Sequence, residues 1–257
     1  MKIVIKVGTT TLAHSTGRLN IKRMEKLCKI LADIKNAGHE LILVSSGAIG
    51  MGVGKLNLKA RPSDIAGKQA AAAVGQCELM YTYDKLFSEY SHTVAQILLT
   101  AEDLRSEERH TNFENTMRTL LEMNVLPIIN ENDTVATEEI EIGDNDTLAA
   151  IVAVSVGADL LVLLSDIDGL YTADPHKCED AELIREIRYI DESIMSLGGS
   201  AGSSLGTGGM HTKLRAAQIT MEKGCDMVIA NGSDPSCLYS IIDGLPVGTR
   251  FFATMKQ

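Results

Sequence analysis

Residues 130–150 crowd amides and carboxylates around the end of an apolar run. The run itself, residues 125–129, is typical of a buried strand. Ligands bind at the carboxyl ends of strands in open α/β sheets, so such a cluster suits a small, charged substrate that carries an amine. The alternative is two Asx-rich turns joined by a hairpin, because Asn and Asp favour turns for local reasons. The polar side chains are Asn130, Glu131, Asn132, Asp133, Asn145 and Asp146.

Lys6 and Gly8 lie where the first apolar run meets a threonine-rich loop, residues 9–11. Gly8 permits a close approach of the backbone, and the threonines offer hydroxyl and amide groups. A lysine that ends a buried strand is costly unless an anion meets it. This pattern indicates an anion site; the alternative is a lysine whose ammonium snorkels to the surface.

Two further glycine loops adjoin predicted helices. Ser46 and Gly47 follow an apolar run, in a strand–turn–helix pattern whose free N–H groups could hold a carboxylate or phosphate. Residues 206–213 precede another helix, and amides at a helix N-terminus together with Lys213 make a phosphate cradle. The alternative for this third loop is a glycine linker with a solvated lysine. Upstream, residues 196–209 are rich in Gly and Ser, which is typical of a functional loop or a disordered excursion.

Two lysines from distant segments and one carboxylate cluster suit phosphoryl transfer. In that chemistry the protein mostly positions reactants and neutralises charge on the transferring oxygens. The dinucleotide fingerprint GxGxxG, the P-loop GxxxxGK[ST] and the nucleophile elbow GxSxG are all missing from the sequence. His211 is the histidine beside a candidate site, and we interpret it as a contact residue rather than a base.

Short β-branched runs alternate with helical patterns along the chain. This alternation predicts βαβ units, with a mainly parallel sheet and helices on both of its faces. The alternation around residues 138–142 also predicts a small antiparallel hairpin. The predicted strands are 2–7, 40–44, 93–99, 125–129, 160–164 and 227–229, and the predicted helices are 21–37, 68–90, 112–123, 147–156, 212–223 and a short one near Pro235.

The composition narrows the class of protein. The chain has 257 residues, 45% of them hydrophobic, and can bury a sizeable core. Its net charge of −10 argues against a nucleic-acid partner, since phosphate backbones call for basic patches. No apolar run approaches the roughly 18 residues that span a bilayer, and the N-terminus does not resemble a signal peptide. Five scattered cysteines without a CxxC pair indicate reduced thiols and offer no metal site. We therefore expect a soluble, cytoplasmic, globular protein.

Seven motifs taken in order resemble the glutamate 5-kinases of the amino-acid kinase family. The resemblance runs from residue 2 to about residue 250. INENDTVA followed by GDNDTLAA is specific to these enzymes, whereas SDIDGLYTADP and GTGGMxTK are shared with aspartate and uridylate kinases. The motifs are IKVGTTTL, LVSSGAIGMG, KQAAAAVGQ, PIINENDTVAT, IGDNDTLAA, LLVLLSDIDGLYTADP and GTGGMHTK.

The resemblance implies a fold and an activity. The fold is a three-layer αβα sandwich around a mainly parallel sheet, in one amino-acid kinase domain over residues 1–257. About 1–157 would form a glutamate-binding lobe and about 158–257 a nucleotide-binding lobe. The activity is transfer of the γ-phosphoryl group of ATP to the side-chain carboxylate of L-glutamate, the first step towards proline.

Site roles also follow from the resemblance. Lys6 and Lys213 match the lysines that stabilise the transition state, and Asp146 matches the aspartate that orients them. The glutamate-binding positions are Ser46, Gly47, Asp133 and Asn145. The nucleotide-binding positions are Lys6, Gly8, Ser165, Asp166, Thr207, Gly208, Gly209, Met210, His211, Thr212 and Lys213.

Further properties of the family are expected here. Its members need Mg²⁺, which the ATP phosphates would carry, so we expect no dedicated protein metal site. They are often inhibited by proline and assemble as dimers or tetramers. Two departures stand out: the sequence stops at Gln257, without the C-terminal PUA domain of many members, and His211 stands where many members have a small residue.

The residues themselves fit this activity. Asp133 would supply a countercharge for an α-ammonium, and the Asn145 amide could hold a carboxylate. The attacking carboxylate is already ionised at neutral pH, which explains the absence of a base motif. The open alternatives are another acceptor in the same family (aspartate, acetylglutamate, carbamate or UMP), a non-catalytic amino-acid sensor and, more distantly, an NAD-linked oxidoreductase.

Overall fold

The computed structural model describes residues 1–14, 18–135, 145–175, 177–178, 180–199 and 209–254. In these ranges, eight strands form a single sheet in the order β3-β4-β2-β1-β5-β7-β8-β6. The strands are β1 Lys2–Val7, β2 Glu40–Ser45, β3 Val94–Leu99, β4 Leu126–Glu131, β5 Leu160–Ser165, β6 Glu186–Ile187, β7 Asp226–Asn231 and β8 Thr249–Phe251. All neighbouring pairs are parallel except β7 and β8.

Helices cover both faces of this sheet. They are α1 Thr9–Leu12, α2 Ile21–Asn36, α3 Ala48–Lys55, α4 Ile65–Ser88, α5 Ala101–Arg105, α6 Glu107–Glu122, α7 Asn145–Ser155, α8 Glu192–Ser196, α9 Met210–Glu222 and α10 Cys237–Ile242. One buried cluster joins a sheet face to α6, α7 and α9, and a second joins the other face to α2, α4 and α10. The predicted three-layer α/β sandwich with a mainly parallel sheet is therefore confirmed.

The alternation of β1 decides which layer each of its side chains meets. Ile3 and Ile5 lie in the cluster with α2 and α4, whereas Val4 lies in the cluster with α7 and α9. Because successive side chains of a strand point to opposite faces, Lys6 shares the face of Val4. The side chain of Lys6 is thereby directed to the layer that holds α7 and α9.

Two glycines let α3 and α4 pack backbone against backbone. A Cβ built at Gly75 would lie 1.7 Å from the carbonyl oxygen of Ala48, and one at Gly52 would lie 1.8 Å from that of Ala71. No side chain fits at either position. The small-residue run of α4 is thus the surface on which α3 lies.

The structure differs from the sequence prediction mainly in short or glycine-rich elements. The helices α1, α5 and α8 and the strands β6 and β8 were not predicted, and α3 was predicted only as a helix start after Ser46 and Gly47, without an end. Glycine lowers helix propensity, so the three glycines within α3 gave no sign of how far this helix extends; packing against α4 stabilises it. The predicted hairpin around 138–142 lies outside the described residues. None of the described helices is both long enough and apolar enough to cross a bilayer.

Candidate active site

The carboxyl ends of the central parallel strands meet at one edge of the sheet. Val7 pairs in register with Ser45 on one side and with Leu164 on the other, and Ser165 pairs with Asn231. The loops that follow β1, β2, β4, β5 and β7 therefore open onto the same space. This is the edge at which open α/β sheets bind their ligands.

Asp146 binds two lysines at this edge. Lys6 Nζ lies 2.7 Å from Asp146 Oδ1, and Lys213 Nζ lies 3.0 Å from Asp146 Oδ2. Asp146 is 0% exposed, and both lysines are buried. Two ammonium groups thus share one carboxylate, which leaves a net positive charge at a site largely closed to water.

The electrostatic balance at Asp146 favours its ionised form. Burial alone would raise the pKa of this carboxyl, but the charges of Lys6 and Lys213, with their hydrogen bonds, lower it to about 2. The position of Asp146 in the first turn of α7 adds to this preference, since a helix N-terminus favours negative charge. The carboxylate therefore stays ionised throughout the neutral range.

Three elements position this triad. Lys6 comes from β1, Asp146 from the start of α7 and Lys213 from the first turn of α9. Both helices pack against the same face of the sheet in one hydrophobic cluster. The Thr212 hydroxyl lies 3.0 Å from Asp146 Oδ2 and 2.7 Å from the Gly209 carbonyl oxygen. Thr212 thereby joins the triad to the start of α9.

Three helices that begin at this edge are capped by glycine. Gly8, Gly47 and Gly209 are the N-caps of α1, α3 and α9, and no described side chain caps these helix ends. By contrast, side chains cap α2, α4, α5, α6 and α8. The first N–H groups of a helix have no partner within the helix, so these glycine-capped ends can receive an anion.

Gly8 leaves space beside Lys6. Its φ of −82° is open to any residue, and a Cβ there would meet Lys6 Nζ at 3.7 Å, an ordinary contact. Packing within the chain therefore does not require a glycine at this position. A Cβ at Gly209 would meet no described residue within 4 Å. Both glycines leave room next to a cation, and that room suits a phosphate.

A second polar group lies at the ends of β2 and β4. Asn145 Nδ2 donates to Ser46 Oγ at 2.6 Å and to Asn130 Oδ1 at 3.0 Å. Asn130 Nδ2 in turn donates to Gln76 Oε1 at 2.9 Å. Both hydrogens of the Asn145 amide are therefore used within the protein. Among the described residues no donor bonds to the Asn145 carbonyl oxygen, and an oxygen acceptor suits a cation better than the carboxylate expected from the sequence.

Asp133 adds a carboxylate two residues after the end of β4. Burial raises the pKa of Asp133, and the nearby charge of Arg61 opposes that shift. A half-buried carboxylate whose ionisation is disfavoured gains when a cation binds beside it. Asp133 can therefore receive an ammonium group.

The ends of β5 and β7 carry a third polar group. Ser165 is buried, and its hydroxyl donates to Asp166 Oδ1 at 3.2 Å. Asn231 Nδ2 donates to Asp168 Oδ1 at 2.8 Å, which ties the loop after β5 to the end of β7. These groups face the same edge as Lys213 and could hold the polar parts of a nucleotide.

The structure places most of the predicted site residues at this edge. Lys6, Asp146 and Lys213 are in direct contact, and so are Ser46 and Asn145. Met210, His211 and Thr212 form the first turn of α9. Thr207 and Gly208 lie outside the described residues. Among the described residues, no group of three or more His, Cys, Asp or Glu side chains is arranged to hold a metal ion.

Sequence reasoning missed Gln76 and Asn231 and gave Asn130 no specific role. The sequence did contain a sign that Gln76 is a buried polar residue. Within α4 the buried stripe includes Ala72, Leu79 and Tyr83, and Gln76 is a polar residue at the same helical spacing. A polar side chain on an otherwise apolar stripe implies a buried hydrogen-bond partner.

Comparison with known proteins establishes the family. The pattern that defines the amino acid kinase family matches residues 1–231, most of the chain. The chain therefore belongs to the amino acid kinase family. It is 51% identical to a glutamate 5-kinase of Clostridium perfringens, with 98% of this chain and 95% of the relative covered. It is also 51% identical to a glutamate 5-kinase of Caldanaerobacter subterraneus, where 98% of this chain but 68% of the relative is covered.

Solved structures share the fold at low sequence identity. A carbamate kinase from Giardia lamblia bound to AMP-PNP superposes with a TM-score of 0.68 at 18% identity, and 98% of each chain is covered. An isopentenyl phosphate kinase of T. acidophilum, in a product complex, gives a TM-score of 0.67 at 16% identity, with 98% of this chain and 100% of that chain covered. These structures support the same three-layer architecture.

Proposed function

We propose that the protein transfers the γ-phosphoryl group of ATP to the side-chain carboxylate of L-glutamate. The product is L-glutamyl 5-phosphate, the first intermediate on the way to proline. About half of the residues are shared with curated glutamate 5-kinases over nearly the whole chain. The structural observation that carries the proposal is the pair of lysines bound to one buried aspartate beside glycine-capped helix ends.

The reaction balances without a general base. An oxygen of the glutamate γ-carboxylate attacks the γ-phosphorus, a new O–P bond forms, and the bond to the β,γ-bridging oxygen breaks to release ADP. The attacking carboxylate is ionised at neutral pH, so no proton has to be removed. What the reaction needs is neutralisation of the charge on the transferring phosphoryl group.

Lys6 and Lys213 are proposed to supply that neutralisation. They approach Asp146 from different elements, and the carboxylate fixes both ammonium groups before substrate arrives. Positive charge that is already in place stabilises a transition state without reorganisation. Asp146 is thus proposed to hold the two catalytic lysines, and it stays ionised because its pKa is about 2.

The acceptor and nucleotide subsites are proposed on either side of this triad. Glutamate would bind between Ser46, Gly47, Asp133 and Asn145, in a lobe formed by about residues 1–157. ATP would bind in a lobe formed by about residues 158–257, with Gly8 and Lys6 reaching its phosphates from the first lobe. The contacts of the second lobe would be Ser165, Asp166, Thr207, Gly208, Gly209, Met210, His211, Thr212 and Lys213.

Mg²⁺ is proposed to enter with ATP. When bound, the metal neutralises phosphate charge, and it is held largely by phosphate oxygens and water rather than by a protein cage. The lysines and glycine-capped helix ends at this edge would hold the phosphates, and the phosphates would bring the metal with them.

The remaining partners are also proposed. We expect a homo-oligomer, either a dimer or a tetramer, with proline as a feedback inhibitor at or near the glutamate subsite. A cytoplasmic location would suit an ATP-dependent enzyme whose five cysteines are free thiols. We expect neither nucleic acid nor membrane as a partner.

A coupled assay tests the activity. ADP release from Mg²⁺-ATP should depend on L-glutamate, and hydroxylamine should trap the acyl phosphate as a hydroxamate. Aspartate and UMP serve as alternative acceptors in parallel reactions. Turnover with aspartate or UMP, without any dependence on L-glutamate, would reject the proposed function.

A further inference from the structure

A chain of four hydrogen-bonded side chains runs from α4 to the loop after β2. Gln76 Oε1 accepts from Asn130 Nδ2 at 2.9 Å, Asn130 Oδ1 accepts from Asn145 Nδ2 at 3.0 Å, and Asn145 Nδ2 also donates to Ser46 Oγ at 2.6 Å. Gln76 is 8% exposed and Asn130 is 2% exposed. We call these four residues the amide relay.

One backbone group sets the direction of every hydrogen bond in the amide relay. The N–H of Glu131 donates to Asn130 Oδ1 at 2.9 Å, and a backbone N–H can only donate. The oxygen of the Asn130 amide must therefore face Glu131 and Asn145, and its nitrogen must face Gln76. The nitrogen of Asn145 must then face Asn130, since two amide oxygens at this distance would repel each other.

This direction determines what the amide relay presents to a ligand. Both hydrogens of Asn145 Nδ2 are used, and no described donor bonds to its Oδ1. Ser46 Oγ accepts from Asn145, so its own hydrogen remains available to donate. Asn145 therefore offers an acceptor, which suits an ammonium, and Ser46 offers a donor, which suits a carboxylate. An α-amino acid carries both groups on one carbon.

We propose that Gln76 is a positioning residue that fixes this polarity. Its Oε1 takes the Asn130 nitrogen in a buried position, which keeps Asn130 from turning over. Without that acceptor, the Asn130 nitrogen is buried without a partner, and only the hydrogen bonds to its oxygen still hold the amide. The inference rests on the proposed function, because it assigns the amide relay to recognition of the amino-acid end of the acceptor.

Replacement of Gln76 by methionine tests the role. Gln76→Met keeps the length of the side chain but removes the acceptor. We expect the glutamate KM to rise by about tenfold, with kcat and the ATP KM changed by less than about twofold, because the triad is untouched. The control is Gln96→Met, the same change at an exposed position on β3; it should leave all three constants unchanged.

Acceptor selectivity separates positioning from simple loss of structure. Glutarate lacks the α-ammonium, so it cannot use the Asn145 oxygen. The ratio of kcat/KM for L-glutamate to kcat/KM for glutarate should fall by about fivefold in Gln76→Met. Gln76→Glu retains an oxygen facing Asn130 and should recover most of this ratio. Thermal melting of each variant verifies that it is folded.

The outcomes distinguish this inference from the proposed function. A wild-type protein without glutamate-dependent turnover would reject the proposed function itself. An active wild type combined with a folded Gln76→Met variant of unchanged glutamate KM and unchanged selectivity would reject the role of Gln76 alone. A Gln76→Glu variant no better than Gln76→Met would show that the acceptor oxygen is not what matters.

Discussion

At the scale of single residues, Asp146 is the centre of the site. One buried carboxylate faces two ammonium groups, so removing the carboxylate leaves two uncompensated positive charges away from water. Breaking such a buried pair is strongly destabilising, whereas the intact group contributes modestly to stability. In the proposed reaction, this arrangement holds two cations beside the phosphoryl group that is transferred.

Lys213→Ala should reduce turnover much more than it weakens glutamate binding. The lysine is proposed to act in the transition state, where one such electrostatic contact is worth about 10²- to 10³-fold in kcat. Steady-state kinetics with varied glutamate measures the split between kcat and KM. Lys223→Ala, an exposed lysine at the end of α9, is the matched control and should behave as wild type. An effect of Lys213→Ala confined to the glutamate KM would remove Lys213 from the transition-state role.

The lowered pKa of Asp146 predicts how the free energy of unfolding changes at acid pH. Its pKa is lowered from 3.8 to about 2 in the folded protein, so its contribution is complete above about pH 4 and is lost as the pH falls towards 2. The difference in unfolding free energy between wild type and Asp146→Asn should shrink by about 2 kcal/mol over that interval. Urea denaturation at successive pH values measures it.

Asp84→Asn is the control for this titration, because Asp84 is exposed on α4. Its stability should follow that of wild type at every pH. A difference between wild type and Asp146→Asn that stays constant from pH 5 to pH 2 would show that the two lysines do not hold the Asp146 carboxylate ionised.

At the scale of elements, α4 supports the acceptor side of the site. It supplies Gln76 to the amide relay, and its Tyr83 hydroxyl lies 2.8 Å from Ser45 Oγ, directly beside Ser46. Its Gly75 allows α3 to approach closely, and α3 begins at Gly47. A single helix thus contacts both the end of β2 and the end of β4.

Gly75→Ala should destabilise the fold through this contact. The new Cβ would lie 1.7 Å from the Ala48 carbonyl oxygen, so α3 would have to move. Overpacking of this kind costs about 1–3 kcal/mol or more. Gly50→Ala is the comparison within α3, since its Cβ would lie 3.6 Å from Thr9 Cγ2 and alanine favours helix. Thermal melting should show a large fall in Tm for Gly75→Ala and no fall for Gly50→Ala; equal values would show that α3 adjusts freely.

The sequence predicts some elements better than others for physical reasons. The buried strands β1, β2, β4 and β5 are short apolar runs between polar loops, and they lie within about two residues of their predicted positions. The helix α3 depends on contact with α4 rather than on its own propensity, so the local pattern predicted its start after Gly47 but not its extent. The same reason applies to β6 and β8, which are two or three residues long and are defined by their neighbours.

The candidate site was predicted in part by residue type and in part by resemblance. A lysine that ends a buried strand and a lysine behind a glycine-rich helix start both indicated anion binding. Their convergence on Asp146 could not be predicted from spacing, because the three residues meet only through the order of the strands. The direction of the amide relay depends on one backbone N–H, which no residue pattern shows.

At the scale of the whole molecule, the two proposed lobes predict that glutamate and nucleotide stabilise the protein independently of each other. A ligand that binds the folded state raises Tm by mass action. We expect both AMP-PNP with Mg²⁺ and L-glutamate to raise Tm in the wild type. Asp133→Asn should lose most of the glutamate shift, because the countercharge for the ammonium is gone, and should keep the nucleotide shift. Asp84→Asn should keep both, and a full glutamate shift in Asp133→Asn would place the ammonium elsewhere.

The central position of β1 has a consequence for the making of the protein. β1 lies between β2, which follows it closely in the chain, and β5, which begins only at Leu160. On the ribosome, one edge of this mostly apolar strand must wait for its second neighbour on the order of ten seconds at ordinary rates of synthesis. An unpaired apolar strand edge promotes association between chains. Chaperone demand during translation is therefore expected to depend on how soon β5 emerges, rather than on the stability of the finished sheet.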